Sequence, residues 1–131
     1  MTDIDKHRKG TTMPLIVKRV DRYLIDYIGG TSLQGGTAGA IITCFSATPH
    51  AGGIGFTPVG TITFFDDSRV TPANQYLPDE TIALYYEMSR FNDVVGIFRY
   101  STPLQIAVNT ETGYGYLGNA QTEDVGQQEG V

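Results

Sequence analysis

The stretch TIALYYEMSRFNDVVGIFRYS, residues 81–101, decides how the chain is read. Alternation places Ile82, Leu84, Tyr86 and Met88 on one face of a strand, and Val94, Gly96, Phe98 and Tyr100 on one face of a second. A three-residue Phe91-Asn92-Asp93 loop would join them as a hairpin. Met88 then faces Gly96, Tyr86 faces Phe98 and Leu84 faces Tyr100, so inward residues meet inward residues. A two-residue Asn-Asp loop would pair Tyr86 with Arg99 and mix the faces. Burial of one face fixes register, so this reading selects the three-residue loop.

The same even-numbered face continues through Thr102, Leu104, Ile106 and Val108, with Pro103 bending the chain. TETG, 110–113, is a turn, and the return strand GYGYLG sets Tyr114 against Val108 and Tyr116 against Ile106. Upstream, VGTITFFDD, 59–67, and AGAIITCFSA, 38–47, are strands, and TPHAGGIGF between them reads as a loop. SRVTPANQYLPDE, 68–80, is a long connection. PLIVKRVDRYLIDYIGG, 14–30, is ambiguous. Neither of its alternating faces is clean, and Ile16, Val20, Tyr23, Leu24 and Tyr27 also make a helical stripe. β-Branched and aromatic content favours strand.

These elements predict an all-β fold: a small antiparallel barrel of about six to eight strands, with a two-sheet β-sandwich as the alternative. The chain has 131 residues, the size of one domain. The expected division is a disordered N-terminal arm over 1–13, a single β domain over 14–118, and a disordered acidic tail over 119–131. The 16 glycines suit a turn-rich β chain better than a helical one.

The formal charge of −5 speaks against nucleic acid as a partner, since a nucleic-acid surface rewards positive charge. No stretch approaches 18 apolar residues, so no membrane span is expected. The start MTDIDKHRKG lacks the apolar centre of a signal peptide, and the one cysteine, Cys44, has no internal disulfide partner. A cytoplasmic location follows as the expectation.

In the barrel reading, Tyr86, Phe98, Tyr100, Tyr114 and Tyr116 share the inward parity. They become the candidate ligand-binding residues of an aromatic-lined interior. Buried tyrosine hydroxyls need partners, which a ligand or a wet cavity would supply; rings that fill the core and send their hydroxyls to the rim are the plainer alternative. The expected partner is a small apolar or aromatic ligand, and self-association into a homo-oligomer is a second expectation, because Phe65, Tyr85 and Ile97 fall on the outward face. Tyr85 would lie across from Arg99 there, with Glu87 diagonal to it.

The remaining candidates are weaker. Asp66-Asp67 and Asp79-Glu80 are adjacent carboxylates, and neighbours on a strand point to opposite faces. His50 has no second histidine or cysteine nearby in sequence, and His7 sits in the terminal arm. GGTSLQGGTAG lacks the phosphate-loop pattern, and no GxSxG is present. No metal and no cofactor is expected. Three functions remain. The first is a small-ligand binding module. The second is a cofactor-free isomerase, cyclase or lyase, using a tyrosine with the one inward carboxylate, Asp66. The third is a structural or assembly protein with a filled core.

Overall fold

Three strands share one buried parity, with Val59 and the small Ala83 buried on the other. In a computed structural model of the chain, β3 (Ala38–His50), β4 (Gly53–Phe65) and β6 (Ile82–Glu87) lie side by side. Ile42, Ile62 and Leu84 form one row across them, Cys44, Gly60 and Ile82 the next, and Ala40, Phe64 and Tyr86 a third. Every side chain in these rows but Tyr86 is buried. The structure describes residues 14–28, 38–66, 70–101 and 103–119. The expectations placed on the arm 1–13, His7, the glycine run 29–37, Asp67, the tail beyond 119 and the side chain of His50 lie outside the described residues.

The remaining strands are β1 (Leu15–Val20), β2 (Arg22–Tyr27), β5 (Gln75–Tyr76), β7 (Leu104–Asn109) and β8 (Gly115–Asn119). They build two open sheets, β1-β7-β8 and β2-β3-β4-β6-β5. All pairings are antiparallel except β4 with β6. Neither sheet closes on itself, so the expected barrel is not formed. Among the described residues the architecture is a two-sheet sandwich carrying one α-helix.

That helix, α1 (Phe91–Tyr100), replaces the expected second strand of the hairpin. The chain leaves β6 through a 3-10 turn, Met88–Arg90, and continues as α1. Phe91, Val94, Val95 and Phe98 recur at i, i+3, i+4 and i+7; the last three are buried and Phe91 is half-buried. Helix and strand therefore both bury Val94 and Phe98, and alternation alone does not separate them. Val95 decides it, because a strand would have turned it outward. Asp93 in the first turn and Arg99 in the last complement the helix dipole. Ser101 N–H closes the end on Ile97 O, and Pro103 stands two residues on.

Asp21 joins the two sheets. The chain runs from β1 of the smaller sheet into β2 of the larger one with only this residue between. Before it the even residues Ile16 and Val20 pack on the core; after it the odd residues Tyr23, Ile25 and Tyr27 do, across from Cys44, Ile42 and Ala40. The parity change explains why neither alternating face of 14–30 looked clean. Asp21 N–H donates to Phe45 O at 2.8 Å. Its carboxylate accepts Ala47 N–H at 2.7 Å, Arg19 Nε at 2.8 Å and Ser46 Oγ at 3.4 Å. A register shift in β3 between Cys44 and Phe45 marks the same corner, as expected where a strand changes sheets.

These bonds hold the Asp21 carboxyl below its ordinary value of 3.8, the Ala47 amide first among the causes. A depressed folded value means the stabilisation is complete above the unfolded value and fades as pH falls through the folded one. Asp21→Ala should lower the unfolding free energy by about 1–2 kcal/mol at neutral pH. In urea titrations the gap between variant and parent should narrow once pH drops below 3.8. A gap that is constant from pH 7 to pH 2 would mean the carboxylate does not hold the corner.

The smaller sheet and α1 cover the same face of the larger sheet. Ile106 of β7 lies over Gly60, and Leu84 touches Gly115 of β8. Phe91 meets Phe64 edge-on at 5.1 Å and stacks on Tyr27 at 5.3 Å, while Phe98 lies 4.7 Å from Tyr23. The C-terminal hairpin forms as expected, but one residue out of the expected register. Val108 pairs with Gly115, Ala107 with Tyr116 and Ile106 with Leu117. Asn109 sets this register. Its N–H donates to Tyr114 O, its carbonyl accepts Gly113 N–H, and its side chain accepts the amides of Glu111 and Thr112. Gly113 takes a φ of +78° to close the turn.

Candidate assembly surface

The five aromatic residues expected inside a barrel are distributed over different layers. Tyr86 is half-buried at the end of the third core row, stacked beside Phe64 at 6.0 Å. Burial pushes its phenol upward, the Arg90 charge opposes that, and the neighbouring Tyr114 adds to it. Phe98 is in the helix, buried against Tyr23. Tyr100 ends the helix and is exposed. Tyr114 is exposed beside Tyr116, ring centres 6.4 Å apart. The one-residue register change sets Tyr116 across from Ala107, and its hydroxyl accepts from Gln105 Nε2 at 3.3 Å. The structure thus brings Tyr86, Tyr114 and Tyr116 into one neighbourhood and leaves Phe98 and Tyr100 elsewhere. The interior that was to gather all five does not exist, and Asp66, just past β4, has no barrel cavity to enter.

A pocket of about 100 Å³ opens at the Asp21 corner, lined by Arg22, Tyr23, Phe98 and Ser101 among others. Pockets for drug-sized ligands run to about 300–1,000 Å³. Among the described residues no group of three or more histidine, cysteine or carboxylate side chains could hold a metal ion, and no helix is long and apolar enough to cross a membrane.

Cys44 belongs to the filled core. It is fully buried, and desolvation pushes its thiol up to about 12. The thiolate is the reactive form, so the folded chain should react with a disulfide reagent only at the rate at which it opens. Unfolding in urea should release full reactivity. Rapid stoichiometric labelling of the native chain would show that the core around Ile42 and Ile62 is not closed.

Of the residues expected to face outward, Phe65 and Tyr85 lie together on the larger sheet, whereas Ile97 is on α1 and packs against the core. Tyr85 does not meet Arg99, which lies on the helix. It sits beside Thr63, stacks on Phe65 at 6.0 Å, and its hydroxyl accepts from Gln75 Nε2 at 3.2 Å.

The feature missed from the sequence is the far half of the β3–β4 hairpin. β2 pairs with β3 as far as Phe45, and β6 pairs with β4 only from Gly60 onward. Among the described residues, beyond those points the two strands pair only with each other: Ser46 with Thr57, Ala47 with Phe56, Thr48 with Gly55, Pro49 with Ile54 and His50 with Gly53. Five pairs at about 3.3 Å per residue make a ribbon about 16 Å long that leaves the body. Ala51-Gly52 is its turn, and Gly53 adopts a φ of +137° that a side chain would disfavour. The expected loop over TPHAGGIGF is therefore strand, turn and strand.

This arm has two unlike faces. One carries Ala47, Pro49, Ile54 and Phe56, all exposed, with Ile54 at 71%. The other carries Ser46, Thr48, Gly55 and Thr57, with the Thr48 and Thr57 hydroxyls 3.3 Å apart. At the root the Arg22 guanidinium lies over the Phe56 ring, 4.3 Å from its centre. The two edges also differ. With a two-residue turn, ladder alternation directs the amides of Ala47 and Pro49 outward on one edge and those of Ile54 and Phe56 outward on the other. Ala47 N–H is taken by Asp21 and proline has none, so the β3 edge is blunted. Among the described residues no strand pairs with the β4 edge at Ile54 and Phe56. The alternating GIGFT of 53–57 was the available sequence signal, and the flanking Thr-Pro and Gly-Gly masked it.

Comparison with protein-family models, with curated proteins and with solved structures finds no match, so the functional reading rests on the residues themselves.

Proposed function

We propose that this chain is a structural assembly protein, whose filled sandwich body holds out a hairpin arm that binds another protein surface. The observation that carries the reading is the uncovered apolar face of the arm. A two-stranded ribbon is at best marginally stable alone in water, and exposed clustered apolar side chains mark interaction sites. The buried rows of the core support a rigid body from which the arm projects. The Asp21 carboxylate and the Thr48–Thr57 contact fix the arm's direction before any partner arrives, which lowers the ordering cost of binding.

A photo-crosslinking amino acid at position 54, introduced into the full chain in its host cell, tests this. A discrete protein adduct of defined mass is expected, and the same probe at Glu111, in the distant β7–β8 turn, should give none. Absence of any adduct from position 54 would remove the assembly reading.

A further inference from the structure

We infer that the surface covering the arm is the opposite end of a second copy of the same chain, so that copies join head to tail. This rests on the assembly reading and names its partner.

The acceptor lies on the outer face of edge strand β2, toward its far end. There Leu24 is 54% and Ile28 41% exposed, with the exposed Asp26 between them on the same face. The arm offers the complement. Residues 46–57 contain no Asp, Glu, Lys or Arg, and their apolar face is bordered by Arg22. Among the described residues, neither Arg22 nor Asp26 makes an ion pair. Docking Ile54 and Phe56 on Leu24 and Ile28 would bring the two charges to the same rim. Rim charges of opposite sign set orientation and suppress wrong partners.

One chain cannot satisfy itself. Arg22 and Tyr27 stand at opposite ends of the same strand, about 17 Å apart, and the arm projects beyond the Arg22 end. The two surfaces are also different patches, so their contact is heterologous. Such contacts repeat, closing into a ring or continuing as a filament. The arm's face is small, so a single contact is weak and the assembly depends on concentration.

The test uses purified full-length chains and sedimentation velocity with native mass spectrometry. The parent should associate as concentration rises to about 1 mM. Phe56→Ser removes the arm's anchor and Asp26→Arg reverses the acceptor's charge; each alone should weaken association at least tenfold. Mixed, the two variants retain one intact arm and one intact acceptor between them, and should form one-to-one dimers and nothing larger. Arg22→Glu should weaken association, and adding Asp26→Arg in the same chain should restore it. Circular dichroism and thermal melting confirm that each variant is folded, with Ile54→Ser in place of Phe56→Ser should the latter fail. A parent that stays monomeric throughout, a mixture that stays monomeric, or a charge reversal without rescue overturns the inference. A position-54 adduct with a different protein also overturns it while leaving the assembly reading intact. No adduct at all removes both.

Discussion

Gly60→Ala should lower the unfolding free energy by about 3 kcal/mol, and Gly60→Val should abolish the cooperative thermal transition. A methyl group at position 60 would stand 2.8 Å from the carbonyl oxygen of Ile82 and 3.1 Å from Cδ1 of Ile106. The first neighbour is backbone of the strand beside it, and the second belongs to the opposite sheet. Relief therefore requires moving β6 away from β4 or lifting β7 off both. Gly115→Ala should cost less. It meets the movable Leu84 side chain, with the Ala107 carbonyl oxygen at 3.1 Å. Urea denaturation of the two variants checks the order. A Gly60→Ala chain within about 0.5 kcal/mol of its parent would mean that the sheets do not approach at this point.

The second large effect concerns α1. Phe98→Ala should cost about 3–4 kcal/mol, because it removes a buried ring and its contact with Tyr23. The loss alone would also suit an inward-facing strand residue, so a companion variant separates the two conformations. Gly96 lies inside the helix, and nothing stands within 4 Å of an added methyl. Gly96→Ala should therefore raise stability by about 0.5–1 kcal/mol through helix propensity. In the hairpin arrangement the same methyl would point at Met88 inside the core and would gain nothing from propensity. Destabilisation by Gly96→Ala, or loss of helical circular dichroism bands without loss of stability, contradicts the helix.

The contrast between these two sites shows what alternation conveys. The row through Ile42, Ile62 and Leu84, and Ile106 in the facing sheet, were legible because each strand's large apolar residues fall on one buried parity, the small Ala83 and Ala107 being buried on the other. Three places broke that condition. At Asp21 the chain changes sheets and the buried parity inverts, so 14–30 matched no single pattern. Over 91–100 a ten-residue segment with two valines, an isoleucine, a glycine and three aromatic residues has strand-like composition, and the burial of both Val94 and Val95 reveals the helix. In the C-terminal hairpin the Asn109 turn shifts the register by one, which moves Tyr116 to the other face.

The candidate site was less legible than the core. Alternation makes the aromatic residues a lining only if inward parity and a closed barrel hold together. Once the sheets are open, that inference loses its geometry. The arm escaped notice because its apolar face has only Ala47, Pro49, Ile54 and Phe56, and proline and glycine ordinarily signal loops. Its significance lies in where pairing with β2 and β6 stops, a long-range property that 46–57 do not encode locally.

Residue-resolved amide hydrogen exchange tests the central claim most directly, first on the dilute chain and then on the assembled form. The account predicts two classes in the dilute chain: Ile62, Leu84 and Ile106 amides exchanging only by global unfolding, and Ile54 and Phe56 amides exchanging as if unprotected. In the assembly those two arm amides become slow while the core amides are unchanged. Arm amides as slow as the core in a dilute monomer, or still unprotected in the assembled form, would contradict it.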